Sequence, residues 1–407
     1  MAYVFIADDF TGASDTLATL SRGGLRARLF RDVPAKADVI GLDAWGIATD
    51  ARALGHTEID LLAARIGRGI AAFAPAFVHV KICSTFDSSL EHGNIARWAL
   101  GLADATGVRD IAVIGGQPSL GRYAAFGTLF ARAPDGAIHR IDRHPIMSCH
   151  PVTPMHEADL LRHLAALGLN DLHLVLRGAV GAAFPRFYDA VEQADVAAAG
   201  RDLLAAQRSL VVMGASSVAE AWLAAQPARD TPQTRAHSEH KITGPIFAFA
   251  GSRSSLTLSQ IGAAESLARL PVAPKDMVID GEARRAASAW AQERLGRGQN
   301  CLVYLTAETA ADVTPARLAQ ESARFTDEVL RAARPKGLVV AGGDTSSAIV
   351  KRLAPDYLDY AGALCPGVPI LRARLQGYDL SLALKGGQMG EVDFFARAVR
   401  EMARALA

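Results

Sequence analysis

Residues 3–16 have the sequence YVFIADDFTGASDT, in which an apolar run gives way to acidic and hydroxyl side chains and then to a helical pattern. A short apolar run followed by a polar turn and a helix is typical of a buried parallel strand in an α/β protein. We predict a strand over Tyr3–Ala7 and a helix over Gly12–Arg22. Ligands bind at the carboxyl ends of such strands, so the polar turn is a candidate site.

The same alternation of short apolar runs and helical segments continues along the chain. It predicts an α/β fold of two domains with mainly parallel sheets and an active site in the cleft between them. A chain of 407 residues is also too long for one ordinary core. Residues 229–243 are polar, contain a proline and have no apolar period, so we predict a linker there. The domains would then be residues 1–228 and 244–407.

Three local predictions concern segments with less distinct patterns. The apolar residues Val39–Leu42 are expected to form the third strand of the first domain. In the second domain, Leu256–Leu270 is expected to be a helix and Met277–Ile279 a short strand.

Composition excludes several classes of protein. Half of the residues are hydrophobic, the formal net charge is +1, and lysine and arginine are dispersed, so neither a nucleic-acid partner nor a membrane partner is expected. The apolar runs are strand-sized, and the first residues have neither the basic region nor the cleavage site of an export signal, so export is not expected. The four cysteines are far apart, which favours reduced thiols and a cytoplasmic location.

The first candidate site is the acidic turn after the first strand. Asp8 and Asp9 are adjacent and repel each other, so a cation, a hydroxyl or a metal should hold one of them. Asp15 adds a third carboxylate, Thr11 is a candidate helix cap, and Gly12 permits a close backbone approach. The alternative is a helix cap with solvated acids, which would need only one aspartate.

A second polar segment follows the predicted strand Phe77–Ile82. Lys81, Ser84 and Thr85 bring a cation and two hydroxyls to the sheet edge that also carries Asp8. A substrate with a carboxylate and hydroxyl groups would need such side chains. A lysine that forms only a salt bridge at a strand end is the alternative.

Two further segments carry groups that suit an acid ligand. Gly121 and Arg122 are predicted to lie in a loop, where the arginine suits bidentate carboxylate binding, although a surface arginine is equally compatible. Residues 150–155 form a proline-rich segment in which His150 is placed to reach the active site. The five histidines between residues 139 and 163 fit no compact metal motif.

Three loops rich in glycine and serine follow strands of the second domain, and each is a candidate phosphate cradle. The candidate nucleotide-binding residues are Ser252, Ser254, Gly342, Gly343, Asp344, Thr345, Ser346, Gly386, Gly387 and Gly390. None of the loops has the lysine of a Walker motif. A single loop of this kind is often a plain tight turn, but three after three strands favour a nucleotide with several phosphates.

These motifs, in this order, resemble those of the four-carbon acid sugar kinase family. The similarity spans nearly the whole chain, and its first and last motifs are the specific ones. The matching segments are residues 7–15, 81–87, 93–95, 121–122, 150–155, 251–252, 341–346, 366–369 and 384–387.

The resemblance implies an enzyme that uses ATP and a divalent ion, Mg²⁺, to phosphorylate the terminal 4-hydroxyl of threonate, erythronate or 3-oxo-tetronate. The N-terminal domain would bind the acid and the C-terminal domain the nucleotide, in a chain compatible with a homodimer. By this resemblance Asp8, Asp9, Lys81, Ser84, Thr85 and Arg122 belong to the acid site, and Ser252, Gly342, Gly343, Asp344, Thr345 and Gly387 to the ATP site.

Two details bear on the substrate. Residues 83–87 are closer to the 3-oxo-tetronate branch than to the threonate branch, where an aspartate precedes Ser-Thr. Residues 115–120 depart from the Pro-Ala pattern that many members carry before Gly-Arg.

The roles follow from the chemistry of the side chains. Asp9 is the first choice for general base and Asp15 the second, because Asp9 is at the strand end where a hydroxyl can reach it. Asp344 is assigned to Mg²⁺, and Lys81 and Arg122 to the substrate carboxylate.

Two other classes of protein are compatible with parts of the sequence. A nicotinamide-dependent dehydrogenase is compatible with the glycine loops, but no G-x-G-x-x-G follows the first strand, and its first loop is acidic where a pyrophosphate would lie. A non-catalytic acid-binding protein would have no need of three aspartates in one loop.

Overall fold

The computed structural model describes residues 3–150, 152–181, 183–227, 244–279, 281–308, 312–375 and 377–404. Contacts divide the chain into two compact units, Met1–Gln233 and Thr234–Ala407. The predicted linker, residues 229–243, lies outside the described residues. Within the described ranges, no helix combines the length and the apolar character needed to cross a membrane.

The first unit begins with a strand and alternates strands with helices. Its elements are β1 (Tyr3–Ala7), α1 (Phe10–Arg22), β2 (Ala27–Phe30), β3 (Ala44–Ala48), α2 (His56–Ala71), β4 (Phe77–Lys81), α3 (Ile95–Thr106), β5 (Asp110–Ile114), β6 (Arg122–Ala125), β7 (Thr128–Arg132), β8 (Ile138–Arg140), α4 (Leu160–Ala166), β9 (His173–Val175), β10 (Arg186–Tyr188), α5 (Gln193–Ala205), β11 (Leu210–Gly214) and α6 (Ser217–Ala224).

The main sheet of this unit is parallel, with neighbours in the order β2-β3-β1-β4-β11-β5-β10-β9. A small antiparallel sheet has the order β6-β7-β8. Ala7 pairs with Lys81, and Lys81 pairs with Gly214. The carboxyl ends of β1, β4 and β11 therefore meet at one edge, where the polar turns follow.

The third strand differs from its prediction. Val39 ends a 3₁₀ helix that begins at Lys36, and Ile40 is 80% exposed, whereas the buried strand is Ala44–Ala48. Its central glycine conceals it in the sequence, since glycine usually weakens a strand. A Cβ at Gly46 would lie 2.2 Å from the ring of Phe5 on β1, so the glycine makes room for that ring.

The second unit also alternates strands and helices before it ends in a hairpin-connected group. Its elements are β12 (Ile246–Ala250), α7 (Ser255–Gly262), β13 (Ala268–Val272), α8 (Pro274–Val278), α9 (Gly281–Gly296), β14 (Cys301–Leu305), α10 (Pro315–Ala333), β15 (Gly337–Ala341), α11 (Gly343–Leu353), β16 (Tyr357–Cys365), β17 (Val368–Leu375), β18 (Tyr378–Lys385) and α12 (Phe394–Arg404).

The strands of this unit follow the order β13-β14-β12-β15-β18-β17-β16. Pairing is parallel from β13 to β18 and antiparallel from β18 to β16. The predicted fold class, an α/β protein with mainly parallel sheets, is confirmed.

Two local predictions in the second unit were wrong. The helix expected over Leu256–Leu270 ends at Gly262, and Ala268–Val272 is a strand. Pro271 is tolerated there because β13 lies at the sheet edge and pairs only with β14 among the described strands. In place of the strand expected at Met277–Ile279, Met277 and Val278 end the helix α8 and Ile279 is its C-cap. The first residue of α8 is proline, whose fixed φ suits the first position of a helix.

Candidate active site

The acidic turn after β1 is fixed by the start of α1. Asp9 is the N-cap, and its Oδ1 accepts a hydrogen bond from the Gly12 backbone N at 2.9 Å. Thr11 was predicted to cap the helix and does not; its hydroxyl donates to Asp9 Oδ2 at 2.5 Å. The helix begins two residues earlier than predicted because the cap is the aspartate at the strand end.

Arg52, which the sequence did not single out, binds both aspartates. Its Nε and Nη2 donate to the two oxygens of Asp8 at 3.2 and 2.9 Å, and its Nη1 lies 3.4 Å from Asp9 Oδ2. The predicted repulsion between Asp8 and Asp9 is therefore relieved by a cation. The expected repulsion between the two aspartates was the one sign in the sequence that a cation should lie beside them. The spacing of the residues did not reveal that this cation is Arg52.

The pKa values of Asp8 and Asp9 are shifted in opposite directions. Burial raises the pKa of Asp8 above its ordinary value, and the charge of Arg52 offsets only part of that effect. Burial would also raise the pKa of Asp9, but Arg52, Lys81 and the hydrogen bonds from Thr11 and Gly12 outweigh it, and this pKa lies below its ordinary value. Asp9 is therefore ionised at neutral pH.

Lys81 faces the same turn from the end of β4. Its side chain is buried, and Nζ donates to the Ile82 carbonyl at 2.6 Å. A Cβ added at Gly12 would lie 2.5 Å from both Lys81 Nζ and Asp9 Oδ1. Glycine at this position lets the ammonium approach the helix start, as the sequence predicted for a close backbone approach.

The segment after β4 is linked to the loop that carries His150. Thr85 donates to Asp87 Oδ1 at 2.5 Å, and Thr153 donates to Asp87 Oδ2 at 3.0 Å. His150 Nδ1 accepts from the Thr153 backbone N at 3.1 Å. Ser84, which directly precedes Thr85, is half-buried. One carboxylate thus joins the two predicted substrate-binding segments.

Arg122 begins β6, rather than lying in a loop as predicted, and follows the left-handed Gly121. Its Nη1 donates to the Leu120 carbonyl at 2.8 Å, while Nε is buried and has no hydrogen-bond partner among the described residues. Burial lowers the pKa of this guanidinium, and nearby Cys83 offsets part of that effect. Among the described side chains, no carboxylate forms an ion pair with Arg122, so an anionic ligand would complete its bonding.

The unusual segment 115–120 is explained by packing. A Cβ at Gly115 would lie 2.2 Å from Phe187, and one at Gly116 would lie 2.5 Å from the Ala190 carbonyl. Ser119 donates to Glu220 of α6 at 2.7 Å. The departure from the family pattern therefore fits the local packing of this loop.

Asp15 has a different hydrogen-bond partner from Asp8 and Asp9. It is one and a half turns along α1, and its Oδ2 accepts from the Ser216 hydroxyl at 2.5 Å. Ser216 precedes α6, so this bond joins the two helices. Asp15 therefore has a clear structural role in joining α1 to α6.

In the second unit, the three predicted loops interlock at the carboxyl ends of β12, β15 and β18. The Gly251 and Ser252 amides both donate to the Ala341 carbonyl at 2.9 Å, and the Gly342 amide donates to the Lys385 carbonyl at 2.9 Å. The amides of Ser252 and Gly342 are thus already used, and the first-turn amides of α11 remain for a ligand.

The loop 386–390 is held through a carbonyl oxygen. Gly387 O accepts from the hydroxyls of Ser254 and Thr257 at 2.7 and 3.0 Å. A Cβ at Gly387 would lie 2.5 Å from the Ser252 hydroxyl. Lys385 Nζ is buried and donates to Thr257 Oγ1 at 3.1 Å; burial lowers its pKa to about 8. Gly390 closes the loop with a positive φ of 80°.

The start of α11 has the features of an anion cradle. Gly342 is the N-cap, with a φ of 129° that only glycine adopts readily, and the helix begins at Gly343. Thr345 and Ser346 lie in the first turn of this helix. A Cβ at Gly343 would meet no other part of the described chain within 4 Å, which leaves the backbone open.

Two side chains at this cradle suit a nucleotide and its metal. Ser346 Oγ is buried and has no partner among the described residues, and Asp344 is exposed in the first helical turn. No group of three or more potential ligands is present in the described part of the chain. Mg²⁺ commonly takes one or two carboxylates together with phosphate oxygens, so a single exposed aspartate beside a phosphate site fits that ion.

Comparison with known proteins gives matches over nearly the full length. The family described as the sugar-binding N-terminal domain matches residues 3–222, and the nucleotide-binding C-terminal domain family matches residues 247–395. A Paraburkholderia graminis protein named 3-oxo-isoapionate kinase is 33% identical and covers 98% of this chain and 93% of its own. A Methylobacterium radiotolerans protein named 3-oxo-tetronate kinase is 30% identical and covers 98% of both.

Solved structures show the same fold. A Salmonella typhimurium protein titled a putative tRNA synthase has a TM-score of 0.77 at 24% identity, with 99% of each chain covered. A Haemophilus influenzae protein has a TM-score of 0.69 at 23% identity, covering 98% of this chain and all of its own.

Proposed function

Because the chain belongs to the four-carbon acid sugar kinase family, we propose that it transfers the γ-phosphate of ATP to the terminal 4-hydroxyl of a 3-oxo-tetronate. The chain is a phosphotransferase with an alcohol group as acceptor and a sugar acid as substrate. Both of these relatives are named for 3-oxo acids, and residues 83–87 are closer to the 3-oxo-tetronate branch than to the threonate branch.

The single observation that carries the acid site is the buried Arg122 Nε with no partner among the described residues. Lys81 and Arg52 already face carboxylates, whereas Arg122 has a single bond to a backbone carbonyl. A guanidinium with open donors suits a carboxylate. Arg122 is therefore assigned the main grip on the substrate carboxylate, and Lys81 supports Asp9 in addition to its predicted contact with the acid.

Asp9 is assigned as the general base. The 4-hydroxyl oxygen attacks the γ-phosphorus, the bond from phosphorus to the bridging oxygen breaks, ADP leaves, and the hydroxyl proton passes to the Asp9 carboxylate. Asp9 Oδ1 accepts one backbone hydrogen bond and retains a lone pair for this proton. Its low pKa keeps it unprotonated at neutral pH, which a base requires. Phosphoryl transfer depends mainly on positioning and charge neutralisation, so a weak base suffices.

ATP is assigned to the second unit. The first-turn amides of α11 and the partial positive charge at its start suit the phosphates. Ser346 Oγ adds a donor at the same edge, where the Ser252 hydroxyl donates to Ser254 Oγ at 3.3 Å. When bound, Mg²⁺ would neutralise charge on the phosphates, and Asp344 would hold it directly or through water.

The test is an assay of ADP release by the full chain with ATP, Mg²⁺ and a panel of acids. The panel contains both threonate isomers, erythronate and their 3-oxo forms, and mass spectrometry follows the phosphorylated product. The highest kcat/KM is expected with a 3-oxo-tetronate. Nicotinamide turnover without ADP release would indicate a dehydrogenase, and a raised melting temperature without turnover would indicate a binding protein.

The substitution Gly343→Ala tests the nucleotide site. Apart from the glycine's chain neighbours and its own helix backbone, no atom of the described residues lies within 4 Å of the added methyl group, and alanine favours a helix, so stability should be unchanged or slightly higher. A phosphate that approaches this backbone would meet the methyl group. We expect the KM for ATP to rise by about tenfold or more, which corresponds to roughly 1.4 kcal/mol.

The matched control is Gly262→Ala, at the end of α7, where the added methyl group also meets nothing within 4 Å. It should leave both KM values unchanged. An unchanged KM for ATP in Gly343→Ala would remove the phosphates from this helix start.

A further inference from the structure

Arg52 lies among the proposed catalytic groups but on a different segment of the chain. We propose that Arg52 is a positioning residue for the transfer reaction, one that binds Asp8 through both oxygens and keeps the neighbouring Asp9 carboxylate free of a proton. The inference rests on the proposed role of Asp9 as base. It gives the two adjacent aspartates different tasks, with Asp8 as the anchor of the arginine and Asp9 as the proton acceptor.

The contacts of Arg52 are asymmetric in a way that supports this division. Asp8 is 2% exposed and receives the guanidinium fork at 2.9 to 3.2 Å, while Asp9 lies at 3.4 Å from the remaining nitrogen. A bidentate pair fixes the plane of the guanidinium as well as its position. The arginine is therefore fixed by Asp8 and presents its third nitrogen to Asp9.

The backbone around Arg52 is also fixed to β1. The Thr49 hydroxyl donates to the Ala7 carbonyl at 2.7 Å, and the Arg52 amide donates to the Asp8 carbonyl at 3.2 Å. On the other side, a Cβ at Gly93 would lie 2.4 Å from the Arg52 carbonyl, and Gly93 has a φ of 59°. The glycine of the predicted 93–95 motif thus lets a second segment pack against this turn.

The charges around Asp9 show what Arg52 contributes. Burial and then repulsion from Asp9 raise the pKa of Asp8, whereas Arg52 and Lys81 lower the pKa of Asp9 against the effect of burial. Arg52 also faces Asp87 and Cys83. Without Arg52, two adjacent carboxylates would face Lys81 alone and would tend to share one proton.

The test measures the pH profile of kcat in Arg52→Gln. We expect a lower kcat and an acidic limb moved to higher pH by about one to three units, the usual effect of an opposite charge at this distance. Adding Asp8→Asn to Arg52→Gln removes the competing negative charge, so it should restore part of kcat and move the limb back. A merely structural arginine would show neither the shifted limb nor this rescue.

Arg65→Gln is the matched control, since Arg65 forms an exposed ion pair with Asp32 and should change nothing. If thermal melting shows that Arg52→Gln unfolds, Arg52→Lys is used instead. This variant keeps the positive charge but lacks the bidentate guanidinium, so it should move the acidic limb of the kcat profile by less than Arg52→Gln would. An unmoved limb in the folded variant, or a double variant no better than the single one, would overturn the inference. These outcomes are separate from the base assignment: full activity in Asp9→Asn would refute that assignment whatever Arg52 does.

Discussion

Replacing Asp9 with asparagine is expected to lower kcat by about 10²- to 10⁴-fold, the usual contribution of a general base. The substitution removes the charge and keeps the shape. Asparagine caps helices as well as aspartate does, so the bond from the Gly12 amide should survive. The melting temperature should therefore stay near that of the unaltered chain, while ADP release in the presence of the acid collapses.

Asp32→Asn is the control for this experiment, because Asp32 is an exposed aspartate paired with Arg65 on the surface. It should have normal turnover. Near-normal kcat in Asp9→Asn would transfer the proton-accepting role to another group, and Asp15→Asn would be the next variant to measure.

Replacing Arg122 with methionine should raise the KM for the acid by about 10- to 150-fold, since hydrogen bonds to charged groups contribute roughly 1.5–3 kcal/mol. Methionine keeps much of the apolar stem but supplies no donor. The variant loses one bond to the Leu120 carbonyl, so a small loss of stability is expected as well. The KM of Arg122→Lys for the acid should lie between that of the unaltered chain and that of Arg122→Met, because an ammonium cannot bind a carboxylate through a planar fork.

Arg132→Met is the matched control on the same small sheet. Arg132 is exposed and donates to the Tyr123 hydroxyl at 3.0 Å. Its loss should leave the KM for the acid unchanged, and neither variant should alter the KM for ATP. An Arg122→Met enzyme with an ordinary KM for the acid would contradict the carboxylate assignment.

Local sequence patterns were sufficient for the parts of the fold that depend on neighbours in the chain. Tyr3–Ala7 is apolar throughout and is followed by a helix cap, so strand, turn and helix could all be predicted. The strands β16 and β17 were not predicted. Register shifts occur between Tyr360 and Gly362 and between Ala363 and Cys365, and such shifts disturb the alternation by which a half-buried strand is recognised.

The sequence predicted the candidate site residues that lie at the ends of strands. It did not predict the residue whose position depends on the order of the strands in the sheet. Lys81 and Asp8 follow neighbouring strands of the sheet, and each has a distinctive local motif. Arg52 is 44 residues from Asp8, in a 3₁₀ turn with an ordinary sequence. Only the order β3-β1-β4 brings it to the aspartates, and one sequence does not reveal that order.

The position of Asp9 at the start of α1 affects the entropy cost of binding a ligand at its carboxylate. An aspartate in a mobile loop loses rotamer freedom when a ligand arrives, and binding must offset that loss. Here the Gly12 amide, the Thr11 hydroxyl and the Arg52 guanidinium restrain both oxygens already in the folded chain. The entropy of orienting this carboxylate is therefore lost when the helix forms, before any ligand binds.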